Sequence, residues 1–198
     1  LGVDLMSLGG HKFYGPKGIG ALFVRRKSPR VKITAQMDGG GHENNIRSGT
    51  LNVPAIAGLG RAAEICRLEF EKYFWHVVEL RNILYHRLTG ELSGTQLNGA
   101  EIDSEKDLRK FESASDASQH IKRLPDNLNI SFTGVDGESV MMAMKEIAVS
   151  SGSACTSALP EPSHVLEAMG LSREAARASL RFGIGRFNSQ EEVDYSVQ

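Results

Sequence analysis

From Pro54 to about Leu88 apolar side chains return at helical spacing: Ile56, Leu59, Ala63, Cys66 and Phe70, then Phe74, Val77, Leu80, Leu84 and Leu88. Residues recurring every three to four positions share one face of a helix, so the pattern predicts a long amphipathic helix. Pro54 suits its first turn, where the missing N–H would have no partner anyway. One helix of this length would span roughly 50 Å at about 1.5 Å per residue, more than a small domain needs. Two helices, or one connector between two domains, are the alternatives.

Upstream, residues 3–8 and 19–25 are short apolar runs that predict two strands, with Gly15-Pro16-Lys17-Gly18 turning between them. Gly39-Gly40-Gly41 and Asn44-Asn45 mark a loop that ends in Arg47-Ser48-Gly49-Thr50. Downstream, residues 128–132 alternate as a half-buried strand, 139–146 carry a Met-rich helical stripe, and Ala148-Val149 predict a short strand. Two helices are expected near 163–169 and 173–178, then a strand over 180–184. Ser189 followed by Glu192 is a capping box that opens a last helix. Short strands alternating with helices indicate an α/β or α+β layered fold.

Residues 101–123 differ from their surroundings. Charged residues crowd them, and Ile102, Leu108, Phe111 and Ile121 are their few large apolar groups, so they read as a solvated surface insertion that could be deleted with little loss of fold. The expected division is residues 1–70, ending on the connecting helix, and residues 71–198, which include the polar segment at about 100–123. The chain opens on Leu1 inside a strand-like run and stops at Gln198 inside a helix-like one, which reads as an excerpt of a longer protein.

The formal net charge of -1 gives no electrostatic footprint for nucleic acid or an anionic membrane surface. Two distant cysteines do not make a disulfide framework. The six histidines show no metal-ligand spacing, and no glycine cluster completes a dinucleotide or phosphate-loop pattern.

Three residues carry candidate chemistry. Lys12 follows a strand and sits among Gly9, Gly10, His11 and Gly15, a context in which the backbone can be approached closely. An amine held there suits covalent cofactor chemistry, against the alternative of an ordinary surface lysine. Cys155 lies in a run of small residues from Ser150 to Ala158, as an accessible nucleophile would, whereas Cys66 lies on the helical apolar stripe and reads as structural. Arg181 alternates with Leu180, Phe182 and Ile184 along a strand, beside Gly183 and Gly185, so its planar fork faces open space and matches a carboxylate.

Ser7-Leu-Gly-Gly-His-Lys12-Phe-Tyr-Gly-Pro-Lys-Gly resembles the cofactor-lysine segment of group I cysteine desulfurases, the IscS/NifS type of the class V aminotransferase family. The run from Gly39 to Thr50, the loop Ser150-Ser-Gly-Ser-Ala-Cys155-Thr-Ser and the strand from Ser179 to Phe187 resemble three further blocks of that family, in order.

The resemblance implies a fold-type-I pyridoxal-phosphate-dependent transferase, of which this chain holds the end of the large domain and most of the small C-terminal α+β domain. Lys12 would carry pyridoxal 5'-phosphate covalently, His11 would line it, and Thr50 would reach the cofactor phosphate of a partner subunit in a homodimer. Arg181 would bind the carboxylate of L-cysteine. Cys155 would take the sulfur as a persulfide for an iron–sulfur scaffold or another acceptor protein, with a secondary role as a transient iron–sulfur ligand. The implied setting is the cytoplasm, with the mitochondrial matrix as the alternative, and without membrane or direct nucleic-acid contact. The alternative functions are a selenocysteine lyase and a truncated, non-catalytic scaffold-binding paralogue. The chain departs from the family at Gly9, where a serine is usual, and in the length of residues 100–122. The family's remaining cofactor contacts lie upstream of residue 1, so residues 1–198 alone are expected to be inactive.

Overall fold

The computed structural model describes residues 2–151 and 161–198. The chain divides into two units, Leu1–Phe70 and Glu71–Gln198.

In the first unit, β1 (Leu5–Gly9) pairs antiparallel with β2 (Gly20–Val24), setting Leu5 against Val24 and Gly9 against Gly20. Glycine is needed at 20, because a Cβ there would stand 2.4 Å from the Leu8 carbonyl oxygen. The long apolar pattern folds as a single helix, α1 (Val53–Glu91), of 39 residues. Its first part meets the turn between the strands through small residues one turn apart. A Cβ on Gly58 would lie 2.6 Å from Pro16 Cγ, and the one on Ala62 is 3.3 Å from where Gly15 would carry its own.

The second unit is built on a three-stranded antiparallel sheet in the order β3 (Thr95–Leu97), β4 (Asn127–Phe132), β5 (Ser179–Gly183). Leu128 and Ile130 of β4 and Leu180 and Phe182 of β5 alternate onto one face and are buried there. Against them pack Val77, Leu80, Leu84 and Leu88 from the second part of α1, with Val193 of the last helix. The recurrence every three to four residues that predicts the helix is the stripe that fills this core.

Contrary to the expectation from the sequence, residues 101–123 are not solvated throughout. They form α2 (Glu105–Leu108) and α3 (Ala114–His120), and Leu108, Ala114 and Ala117 are buried with Phe74 and Val78 of α1. The Glu71 carboxylate accepts from Ala114 N–H at 2.8 Å and from the Trp75 indole N–H at 2.8 Å, tying α3 to α1 through one acid. Arg123 donates to the carbonyls of Asn98 and Ala100, and Arg81 to Asn82 Oδ1 and the Leu124 carbonyl. Burial first, and the nearby charge of Arg123 second, push the Arg81 guanidinium down to about 10, so it stays charged at neutral pH. The polar composition misleads because Arg123 serves the carbonyls of Asn98 and Ala100, while alanines supply much of the packing.

Four further helices of the second unit are α4 (Gly137–Ala143), α5 (His164–Ala168), α6 (Arg173–Arg177) and α7 (Gln190–Tyr195). Ser189 and Glu192 form the expected capping box at the start of α7. In place of the strand expected at 148–149, Ser150 makes an isolated bridge to Arg181. Among the described residues no helix is long and apolar enough to cross a membrane.

Candidate functional site

Lys12 lies in a single 3-10 turn, Gly10–Phe13, that continues directly from β1. Gly10 donates to the Ile19 carbonyl and Gly15 to the Gly10 carbonyl, both at 2.9 Å, so the loop closes on itself and holds the turn at the strand end. Side-chain bulk is excluded at 10, where a Cβ would stand 3.0 Å from the carbonyl oxygens of Ile19 and Pro16. Beneath the turn the Cys66 thiol donates to the Phe13 carbonyl at 3.7 Å. That contact gives Cys66 a structural part, one residue along from the lysine. Lys12 and His11 are exposed, and Lys12 makes no ion pair among the described residues. A Cβ at Gly9 would meet Lys12 Cγ at 3.5 Å and His11 Cε1 at 3.6 Å, ordinary contacts that leave room for the family's usual serine.

Thr50 is exposed and follows a braced loop. Ser48 is buried and donates to the Gly40 carbonyl at 2.7 Å, and Arg47 pairs with Met37 through an isolated bridge. Gly49 has φ +119, which favours glycine just before Thr50. Lys12, His11 and Thr50 all belong to the first unit.

Arg181 belongs to the second unit, at the centre of β5, where its neighbours Leu180 and Phe182 are buried and it is exposed. Asn129 of β4 stands opposite it in the ladder. On its other edge Arg181 exchanges two backbone hydrogen bonds with Ser150, at 2.7 and 3.1 Å. Its N–H and C=O are thus both taken by Ser150, while Asn129 stands on the opposite side. This Ser150 clamp escaped the sequence reading, since a main-chain bridge leaves no residue signature. Cys155 itself, with its sulfur and metal roles, lies outside the described residues.

The polar face of the sheet carries a second feature without an obvious sequence signal. Asn98, Ser131 and Ser179 are buried and bonded to one another, and Asn98 Nδ2 also donates to Asn129 Oδ1 at 2.7 Å. Among the described residues no group of three or more His, Cys, Asp or Glu side chains is placed to hold a metal ion.

The chain is similar to known proteins in sequence and in fold. The profile of the Aminotransferase class-V family matches residues 1–117 and 103–195. The chain is 52% identical over 198 residues to the cysteine desulfurase IscS of Anaeromyxobacter dehalogenans and 50% identical to that of Vibrio vulnificus, covering all of itself and 44% of each. It therefore spans less than half the length of the curated relatives it matches. Among solved structures, a NifS-like protein aligns with TM-score 0.75 at 32% identity, over 99% of this chain and 44% of that one. The NifS-like protein from Rickettsia africae aligns with TM-score 0.76 at 26% identity, over 99% and 46%. The α/β fold expected from the sequence is the fold of these proteins, and the chain belongs to the class-V aminotransferase family.

Proposed function

We propose that these residues form part of a pyridoxal-phosphate-dependent cysteine desulfurase, which converts L-cysteine to L-alanine and passes the sulfur on. The observation that carries this reading is the exposed Lys12 amine, without an ion pair among the described residues, on a glycine-bounded turn at a strand end. An amine, an imidazole at His11 and a hydroxyl at Thr50 suit an aldehyde that bears a phosphate, so the donor set fits this cofactor. When bound, pyridoxal 5'-phosphate supplies the electron sink that makes the substrate Cα proton acidic.

The chain's own residues do the rest. Arg181 holds the substrate carboxylate through its fork. Lys12 Nζ would hold the cofactor and would take the Cα proton as a general base. The thiolate of Cys155 attacks the substrate sulfur: an S–S bond forms as the C–S bond breaks, the C–S electron pair stays with the carbon fragment, and that fragment takes up protons at Cβ and Cα and leaves as alanine. An enzyme persulfide remains, ready for an iron–sulfur scaffold or another acceptor protein. Ser150, five residues before Cys155 in the sequence, is bonded through its backbone to Arg181. The same reading carries a cytoplasmic homodimer in which Thr50 contacts the partner's cofactor phosphate, and a transient iron–sulfur contact at Cys155.

The test supplies L-cysteine to the complete polypeptide that contains these residues and measures alanine and protein persulfide. Both are expected, and both are expected to vanish in Cys155→Ser with the cofactor still bound. Persulfide that persists in Cys155→Ser would overturn the assignment.

A further inference from the structure

The polar face of the β3–β4–β5 sheet holds a hydrogen-bond chain whose direction can be assigned from its buried end. The Ala175 carbonyl only accepts, so the Ser179 hydroxyl directs its proton there, at 2.6 Å. Ser179 Oγ is then an acceptor, and Asn98 Nδ2 stands 3.0 Å from it. An Asn98 amide turned the other way would set its oxygen against an oxygen with no proton left to give. The same Nδ2 group donates to Asn129 Oδ1 at 2.7 Å, and Asn98 Oδ1 accepts from Ser131 at 2.9 Å. Asn98, Ser131 and Ser179 are 3%, 3% and 0% exposed, so water does not compete for these bonds.

The consequence falls on Asn129. With its oxygen committed to Asn98, its Nδ2 group is turned away from β3, and it has no acceptor among the described residues. Directly opposite, on the same face, stands Arg181. Paired side chains of an antiparallel ladder have Cβ atoms about 4.5–5.5 Å apart, close enough to share one ligand group. Arg181 has only donors and makes no ion pair among the described residues. Gly183, two positions along the same face, leaves open space where a Cβ would meet nothing within 4 Å. Two donor-only groups beside one opening select an acceptor-only ligand with two oxygens, which is a carboxylate.

We infer that Asn129 binds the α-carboxylate of the amino-acid substrate together with Arg181, and that Asn98, Ser131 and Ser179 hold its amide in the donating orientation. The inference rests on the proposed role of Arg181. It adds a neutral donor whose direction is fixed by packing, beside a cation on a long flexible stem.

The test uses the complete polypeptide loaded with pyridoxal 5'-phosphate and two probes, L-alanine and ethylamine, which differ only in the carboxylate. Their dissociation constants are read from the cofactor's visible absorbance. Asn129→Ala is expected to weaken L-alanine roughly ten- to hundredfold, the range for a hydrogen bond to a charged group, and to leave ethylamine within about twofold. Asn129→Asp, which sets a carboxylate against the ligand's own, is expected to weaken L-alanine further. Retained ethylamine binding shows that a variant is folded; if the alanine variant fails to fold, Asn129→Ser provides the same comparison. If Arg181→Ala leaves the L-alanine to ethylamine ratio unchanged, the role of Arg181 falls and the inference with it. If Arg181→Ala shifts that ratio and Asn129→Ala does not, the assignment of Asn129 alone is overturned.

Discussion

Truncating Leu108 to alanine probes whether the charged segment belongs to the folded unit. Leu108 is 2% exposed and packs with Phe74, Val78, Ala114 and Ala117, the last two themselves at 0%. Leucine-to-alanine changes at buried positions cost about 2–5 kcal/mol, the loss depending on how far the site collapses. Here two neighbours are already alanines on a seven-residue helix, held by one carboxylate at its first residue, so partial collapse is available. We place the cost at about 3 kcal/mol, which multiplies the opening constant of α2 and α3 on the order of a hundredfold. The assay is native-state hydrogen exchange on the complete polypeptide, following the Ala117 and Ile121 amides, which donate within α3 and at its end. In the wild type these amides should be protected, and in Leu108→Ala they should exchange about a hundredfold faster while the Leu128 and Ile130 amides change less. Unprotected wild-type amides, or a variant that exchanges like the wild type, would refute the reasoning and restore the solvated insertion.

Two further outcomes follow from the hydrogen bonds. Asn98→Ala strips partners from Ser131 and Ser179 in a dry site and should cost about 1–3 kcal/mol in a denaturant titration; a loss within 0.5 kcal/mol would contradict the network. Donation from Asn188, and then from the Ser189 backbone, holds the Glu192 carboxyl below its usual 4.5, so its support of α7 is complete above pH 4.5 and is lost as pH falls through the lowered value. Glu192→Gln should remove that acid dependence from the protection of the α7 amides, and an unchanged acid profile would count against the capping box as its source.

The parts legible in the sequence are those where one periodicity runs long or one motif stands alone. Val77, Leu80, Leu84 and Leu88 announce their helix because four buried positions repeat the same spacing. The hairpin around Lys12 is announced by Gly15-Pro16 between two apolar runs, and α7 by its capping box. The strand β3 was not legible, since Thr95, Gln96 and Leu97 are too few to show alternation. The helices α2 and α3 were hidden for another reason: Ala114 and Ala117 bury little area each, and composition weighs them as neutral. Within the candidate site, Lys12 and Arg181 could be named because family motifs surround them. Asn129 could not, because its place depends on the register that sets it against Arg181 and on an amide turned by Asn98, just beyond the end of β3.

The central claim is that Lys12 is the cofactor lysine. The complete polypeptide is loaded with pyridoxal 5'-phosphate, reduced with borohydride, digested and mapped by mass spectrometry. The account predicts a phosphopyridoxyl group on Lys12 and none in Lys12→Ala, with Lys17 unmodified in both. Labelling that falls on Lys17, or that survives at another lysine in Lys12→Ala, would contradict it.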